Sequence, residues 1–178
     1  MQLDLGQPLR TIVQFAYVVP DLERAMSTFG KALGIGPWFV RGPFQPPEGR
    51  HRGQPATFTV TLARAFAGHA MVELIEQADD GPSVFHEGDG PRGYGFHHWA
   101  MVTDTFDDDV ARYLALGYEE AFFDRLPSGS RVVYLDSTHD LPGMLELVEY
   151  SAEQERAYTR MWQASLGWDG REPIRREA

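Results

Sequence analysis

Hydrophobic and polar positions along the chain follow two periods, and the order of those periods repeats. Residues 11–19 are dense in β-branched and aromatic types and read as a strand. Pro20 and Asp21 then signal a helix entry. Leu22, Ala25, Met26, Phe29 and Leu33 recur at helical spacing, so one helix face packs on a sheet, and Gly34 supplies the stop. Trp38 to Arg41, Thr57 to Leu62 and Ala70 to Gln77 are the next predicted strands. In the middle one, Thr57, Thr59 and Thr61 alternate with Phe58, Val60 and Leu62. The same order returns further on: a strand over 96–103, a helix over 105–116 opened by acidic residues, and strands over 119–124, 131–136 and 143–150. A last helical pattern runs from Ser151 to Leu166 with Tyr158, Met161, Trp162 and Leu166 on one side. The charged, Gly/Pro-punctuated end from Gly167 to Ala178 is expected to be a loop or to be pinned to a partner.

The repetition extends to identity. Met71-Val72-Glu73-Leu74-Ile75-Glu76-Gln77 matches Met144-Leu145-Glu146-Leu147-Val148-Glu149-Tyr150 at four of seven positions, and two more are aliphatic exchanges. Gln14 to Val19 leads into Pro20-Asp21-Leu22 as His98 to Thr103 leads into Asp104-Thr105-Phe106, and both helical stretches end in Leu-Gly. The first copy is longer because of a Pro/Gly-rich insertion, Gly42 to Gly53. The chain is a tandem duplication of a strand–helix–three-strand unit, which makes the fold class α+β. The expected organisation is a first βαβββ module over 8–80, a connector over 81–93, a second module over 94–150 and a helical tail over 151–178.

Composition narrows the function classes. At 178 residues, 43% hydrophobic and 24% charged, the chain is a globular domain with a sizeable core and not a disordered segment. A net charge of −10 without a basic stripe argues against a nucleic-acid partner. The absence of cysteine removes disulfides, thiolate metal sites and cysteine nucleophiles together. No apolar run approaches the ~18 residues of a membrane span and the N-terminus lacks a signal-peptide core, so a cytoplasmic protein with no membrane partner is expected. Gly88 to Gly93 formally matches GxGxxG, but no strand precedes it and no helix follows, so a dinucleotide is not expected there.

Strand parity locates candidate chemistry. Each closing strand sets one carboxylate, Glu73 or Glu146, between apolar neighbours two residues away on the same face. Each opening strand sets a polar group before a small and an aliphatic residue: Gln14, Ala16, Val18 and His98, Ala100, Val102. Carboxylates among apolar side chains are costly unless a cation pairs with them. Four equivalently placed polar groups in a duplicated frame therefore suggest one convergent site. His97, Glu76 and Glu149 fall on the opposite faces and are read as packing, paired or solvated groups, and His86 and His139 as loop residues.

These segments, together with Leu33-Gly34-Ile35-Gly36-Pro37-Trp38 and Gly95-Phe96-His97-His98, resemble the vicinal oxygen chelate superfamily, which contains glyoxalase I, methylmalonyl-CoA epimerase and extradiol dioxygenases. The resemblance covers about residues 10–150. It implies paired βαβββ modules forming a shared half-open barrel, followed here by the C-terminal helix, around a divalent metal (Zn, Ni, Co or Mn). The implied ligands are Gln14, Glu73, His98 and Glu146, with Glu73 and Glu146 also as catalytic bases. The implied activity is that of a lyase or isomerase, moving a proton α to a carbonyl through a metal-stabilised enolate. The expected substrate is a small α-oxo adduct, an acyl thioester or a bulkier carbonyl compound. Phe39, Phe44 and Phe122 are candidate pocket residues, and Arg41, Arg50, Arg52 and Arg131 candidate carboxylate or phosphate anchors, Arg131 being the one assigned to substrate. One alternative is an Fe(II) ring-cleaving dioxygenase, which needs two histidines and a carboxylate. A second is a metal-free, drug-sequestering binding protein. Trp162 and Trp168 in the tail suggest a homodimer contact.

Overall fold

The helices begin and end where short-range chemistry says they should. In the computed structural model, which describes residues 1–87, 94–137 and 141–177, helix α1 (Leu22–Leu33) is capped by Asp21, whose side chain accepts from the Arg24 amide at 2.8 Å. It stops at Gly34, a left-handed residue with φ of 68° that glycine adopts without penalty. Helix α2 (Phe106–Ala115) carries Asp107, Asp108 and Asp109 in its first turn, where negative charge complements the helix dipole. Helix α3 (Ala152–Ser165) is capped by Ser151.

The strands are β1 (Ile12–Val18), β2 (Trp38–Phe44), β3 (Arg50–His51), β4 (Gln54–Pro55), β5 (Val60–Ala67), β6 (Ala70–Gln77), β7 (Gly95–Thr103), β8 (Glu119–Arg125), β9 (Arg131–Asp136), β10 (Met144–Glu149) and β11 (Ile174–Arg176). They form one open sheet in the order β11-β2-β5-β6-β1-β7-β10-β9-β8-β3-β4. The two βαβββ units are β1-α1-β2-β5-β6 and β7-α2-β8-β9-β10, joined at the centre by the antiparallel pair β1–β7. In each unit the opening and closing strands are parallel neighbours: Ala16 faces Glu73, and Ala100 faces Glu146.

Two differences from expectation concern strand limits. The third strand of the first unit starts at Val60 and runs to Ala67, later than the Thr/aliphatic alternation suggested. The punctuated tail is neither a plain loop nor free, because β11 adds in parallel to the edge strand β2. The insertion after β2 also holds the small hairpin β3–β4, which reaches across to pair with β8 on the far side of the second unit. The two ends of the sheet are thus tied by a short stretch of chain, and the sheet curls around a shared interior. Gly88 to Gly93, His139 and part of the expected connector lie outside the described residues.

Four apolar clusters divide the molecule. α1 packs Leu22 and Met26 against Trp38, Val40 and Leu74 on the outside of the first unit. α2 packs Phe106 against Val133, Leu135 and Leu147 on the outside of the second. Inside the curl, one cluster joins Leu3, Leu5 and Leu9 to Tyr158 and Met161 of α3. The other joins Phe58, Phe85, Phe122 and Tyr134. Trp162 packs on the first inner cluster and lies 5.6 Å from the His69 ring. Trp168 lies over Gly36, where an added Cβ would sit 2.5 Å from its ring. Both tail tryptophans are therefore half-buried against their own chain.

Candidate active site

Gln14, Glu73, His98 and Glu146 meet inside the curl. The Gln14 Nε2 atom lies 3.0 Å from Glu73 Oε2, 3.2 Å from His98 Nε2 and 3.4 Å from Glu146 Oε2. His98 Nε2 is 3.2 Å from Glu146 Oε2 and 3.7 Å from Glu73 Oε2. All four residues are buried, His98 completely. Ala16 and Ala100, both fully buried, flank them as the cross-strand neighbours of His98 and Gln14 on the two central strands. A larger side chain at either alanine would fill the centre.

The two glutamates sit at equivalent places but meet different partners. Arg64 on β5 is the cross-strand neighbour of Glu73, and its Nε donates to Glu73 Oε1 at 2.7 Å. Burial works against the Arg64 charge, but Glu73 holds it firmly protonated. The equivalent neighbour of Glu146 is Tyr134 on β9, a phenol in place of a guanidinium. Without a paired cation, burial pushes the Glu146 carboxyl up to about 7, with the Arg64 charge and Tyr134 offsetting part of the rise. Glu146 thus gains and loses a proton near neutral pH, and Glu73 is the partner of a permanent cation.

The histidine tautomer follows from a second chain of contacts. His97 and His98 are held neutral mainly by burial, at about 3 and about 4. Neutral His97 donates from Nε2 to the Val84 carbonyl at 2.9 Å, so its Nδ1 must accept from His98 Nδ1–H at 2.8 Å. His98 Nε2 then carries a lone pair toward the centre. With Glu146 ionised, two lone-pair atoms face each other at 3.2 Å. Only a proton or a cation between them makes that contact favourable.

Among the described residues no group of three or more His, Asp or Glu side chains is set out as a metal cage, and the Gln14 amide nitrogen lies within 3.4 Å of Glu73, His98 and Glu146. The donor set nevertheless fits a divalent ion. One imidazole nitrogen, two carboxylates and an amide oxygen are suitable ligand types. Of the possible ligand atoms, His98 Nε2 stands 3.2 Å from Glu146 Oε2 and 3.7 Å from Glu73 Oε2, near the about 3.0 Å at which adjacent donors sit around an ion with bonds of about 2.1 Å. Gln14, whose amide nitrogen faces them, would turn its oxygen inward to join.

The remaining sequence candidates divide. Phe44 and Phe122 line an inner chamber of about 50 Å³ beside Glu73 and Glu146. Phe39 lines a separate outer chamber of about 490 Å³. Arg41 borders both. Arg131, expected to anchor substrate, is on the other face of the sheet: its guanidinium binds Glu149 and Asp107, each at 2.7 Å, and lies over Phe106 of α2. Strand parity explains the misplacement, since Val132 and Tyr134 are the inward residues of β9. Arg52 is taken up by Glu87 and Asp136, and Arg50 lies over the Phe123 ring. Arg64 and Tyr134 were missed as partners of the glutamates. The hairpin turn at Gly68-His69 was the available signal, since counting back from it sets residue 64 opposite 73.

A duplicated βαβββ sheet with four polar groups on its central strands defines the vicinal oxygen chelate architecture. The sequence of residues 13–134 matches the model of the Glyoxalase/Bleomycin resistance protein/Dioxygenase superfamily, and the chain belongs to that family. None of the curated proteins matches the chain. Among solved structures, methylmalonyl-CoA epimerase from Mycobacterium tuberculosis is similar at 18% identity and a TM-score of 0.56, over 83% of this chain and 93% of that one. A variant of the Streptomyces coelicolor epimerase in complex with 2-nitronate-propionyl-CoA gives 18% and 0.56, over 82% and 100%. A hypothetical protein from Bacillus halodurans gives 14% and 0.53, over 79% and 94%. At these identities the likeness is one of fold.

Proposed function

We propose that this protein is a lyase or isomerase that moves a proton α to a carbonyl, with Glu146 as the base. The observation that carries the reading is the unequal setting of two equivalent carboxylates. Glu73 is neutralised by Arg64, whereas Glu146 is buried, has no arginine or lysine partner among the described residues, and in the metal-free protein is pushed by burial up to about 7. A base that titrates near the working pH combines availability with driving force. Glu146 takes the proton, the C–H electron pair passes into an enolate, and a proton from Glu146, exchangeable with solvent while it sits on the carboxyl, is delivered to the neighbouring carbon or to the same carbon. Glu73 with Arg64 forms an ion pair at the opposite side of the centre. His98, oriented by His97 and tilted against the Tyr134 ring at 4.6 Å, supplies a lone pair of fixed direction. Gln14, Glu73, His98 and Glu146 would hold a divalent ion, which supplies Lewis acidity toward a carbonyl oxygen.

The test is solvent deuterium exchange into candidate α-oxo adducts and acyl thioesters, with the protein supplied in turn with Zn, Ni, Co and Mn. Exchange should occur in the parent protein and fall by about 10²-fold or more in Glu146→Gln. Retention of full exchange in that variant would remove Glu146 as base. The ring-cleaving alternative asks for two imidazoles, and the centre offers one, because His97 is turned to Val84.

A further inference from the structure

The outer chamber is a concentration of positive charge on an acidic chain. Five of its lining residues are arginines and two are glutamates, in a protein of net charge −10. Arg64 is committed to Glu73. Arg41 is not committed: it lies 4.2 Å over the Phe44 ring, and among the described residues no carboxylate oxygen is within 4.0 Å of its nitrogens. Arg175 lies 5.6 Å from the Phe39 ring, and its Nε is buried without a hydrogen-bond partner. The carboxylates of the chamber, Glu153 and Glu177, make no contact within 4.0 Å with any of these arginines among the described residues, although the Glu177 charge acts on Arg41 and Arg64 and that of Asp124 on Arg41 from further away. Unpaired guanidiniums in a cavity are costly until an anion completes them, and their planar fork suits carboxylate and phosphate oxygens.

Three further facts make this a built site. Arg175 is delivered by β11, which is held on β2 by a parallel register that sets Arg175 beside Phe39. Main-chain bonds fix both ends of that strand, Trp38 N–H to the Pro173 carbonyl and Glu177 N–H to the Val40 carbonyl, each at 2.8 Å. Arg41, Arg64 and Leu126 line the inner chamber as well, so the two chambers are adjacent, with Glu73 and Glu146 in the wall of the inner one. At about 50 Å³ the inner chamber admits roughly four water-sized groups, so the bulk of any substrate must lie in the outer one.

We infer that the outer chamber binds a carboxylate or phosphate group, held by Arg41 and Arg175, and that the substrate is an anion whose charged end docks there while its carbonyl end enters the inner chamber. This rests on the proton-transfer reading for the second half only. The C-terminal strand, which lies beyond the residues matched by the family model, is thereby a specificity element.

The test reads binding without turnover, so failure of the catalytic reading leaves it standing. Isothermal titration of the full chain with inorganic phosphate and, separately, with succinate should give saturable binding of at least one, competed by salt. Arg175→Gln and Arg41→Gln should each weaken it by about 10-fold. The thermal midpoint of Arg175→Gln should match the parent, since the side chain makes no ion pair on an edge strand; if Arg41→Gln does not fold, Arg175→Gln alone decides. Preference for one titrant assigns carboxylate or phosphate. No binding of either ion, or affinities within twofold of the parent in Arg175→Gln, overturns the inference.

Discussion

Replacing Arg64 by methionine keeps most of the side-chain volume and removes the cation paired with Glu73. Arg64 is 13% and Glu73 4% exposed at the side chain, and they meet at 2.7 Å, so water cannot take over the charge. Breaking a buried pair from one side costs about 3–5 kcal/mol because the other charge is left stranded. For a chain of this length that is a fall in thermal midpoint on the order of 10 °C. The double variant Arg64→Met with Glu73→Gln removes both charges and should recover most of the loss, ending within about 2 kcal/mol of the parent. Urea unfolding of the parent, the two single variants and the double variant closes the cycle, with an expected coupling of at least about 2 kcal/mol between the residues. If Arg64→Met costs under about 1 kcal/mol, or the double variant loses as much as the two singles together, the asymmetry between the glutamates has been misread. The assignment of Glu146 as base would then lose its physical ground.

Two more outcomes follow from the same geometry. The metal-free protein should lose stability as pH falls from about 6.5 toward 4, because His97 and His98 are neutral when folded, at about 3 and about 4, and take up protons when unfolded. Glu146 acts in the opposite sense between its ordinary carboxylate range and about 7, so one net proton opposes folding there and two do so at lower pH. Urea titrations at pH 5 and pH 7 in the presence of chelator measure the difference, and a flat profile would contradict the burial of the two rings. Adding Zn, Ni, Co or Mn to the chelator-treated protein should raise its thermal midpoint by several degrees when the ion is at about 100 times its dissociation constant, and His98→Gln should abolish the rise. An equal rise in that variant would place the ion elsewhere.

How much of this was legible in the sequence depended on which signals were local. The duplicated closing strands, with Glu73 and Glu146 at the same step, carried the fold and the convergence of four groups, because parity and repetition survive without knowledge of packing. The extent of β5 did not show. Ala63, Ala65 and Ala67 have weak strand propensity, and pairing with β6 overrode it. Arg64 was lost with that strand, and with it the difference between the glutamates. Arg131 was misplaced for a related reason: a cation near a strand start invites a substrate role, and only the parity set by Tyr134 turns it outward. β11 had no pattern to find in three residues whose conformation is imposed by the vacant edge of β2.

The blunted margins of the sheet bear on how copies of this chain could associate. At one margin a three-residue strand lies against β2, and at the other a two-residue hairpin ending in Pro55, which has no amide hydrogen, lies against β8. β11 covers Trp38 to Val40 of β2, and β3 covers Phe122 and Phe123 of β8, so each of these seven-residue strands is capped over part of its length. A second copy arriving by strand addition would meet these short, proline-containing caps before the longer strands behind them.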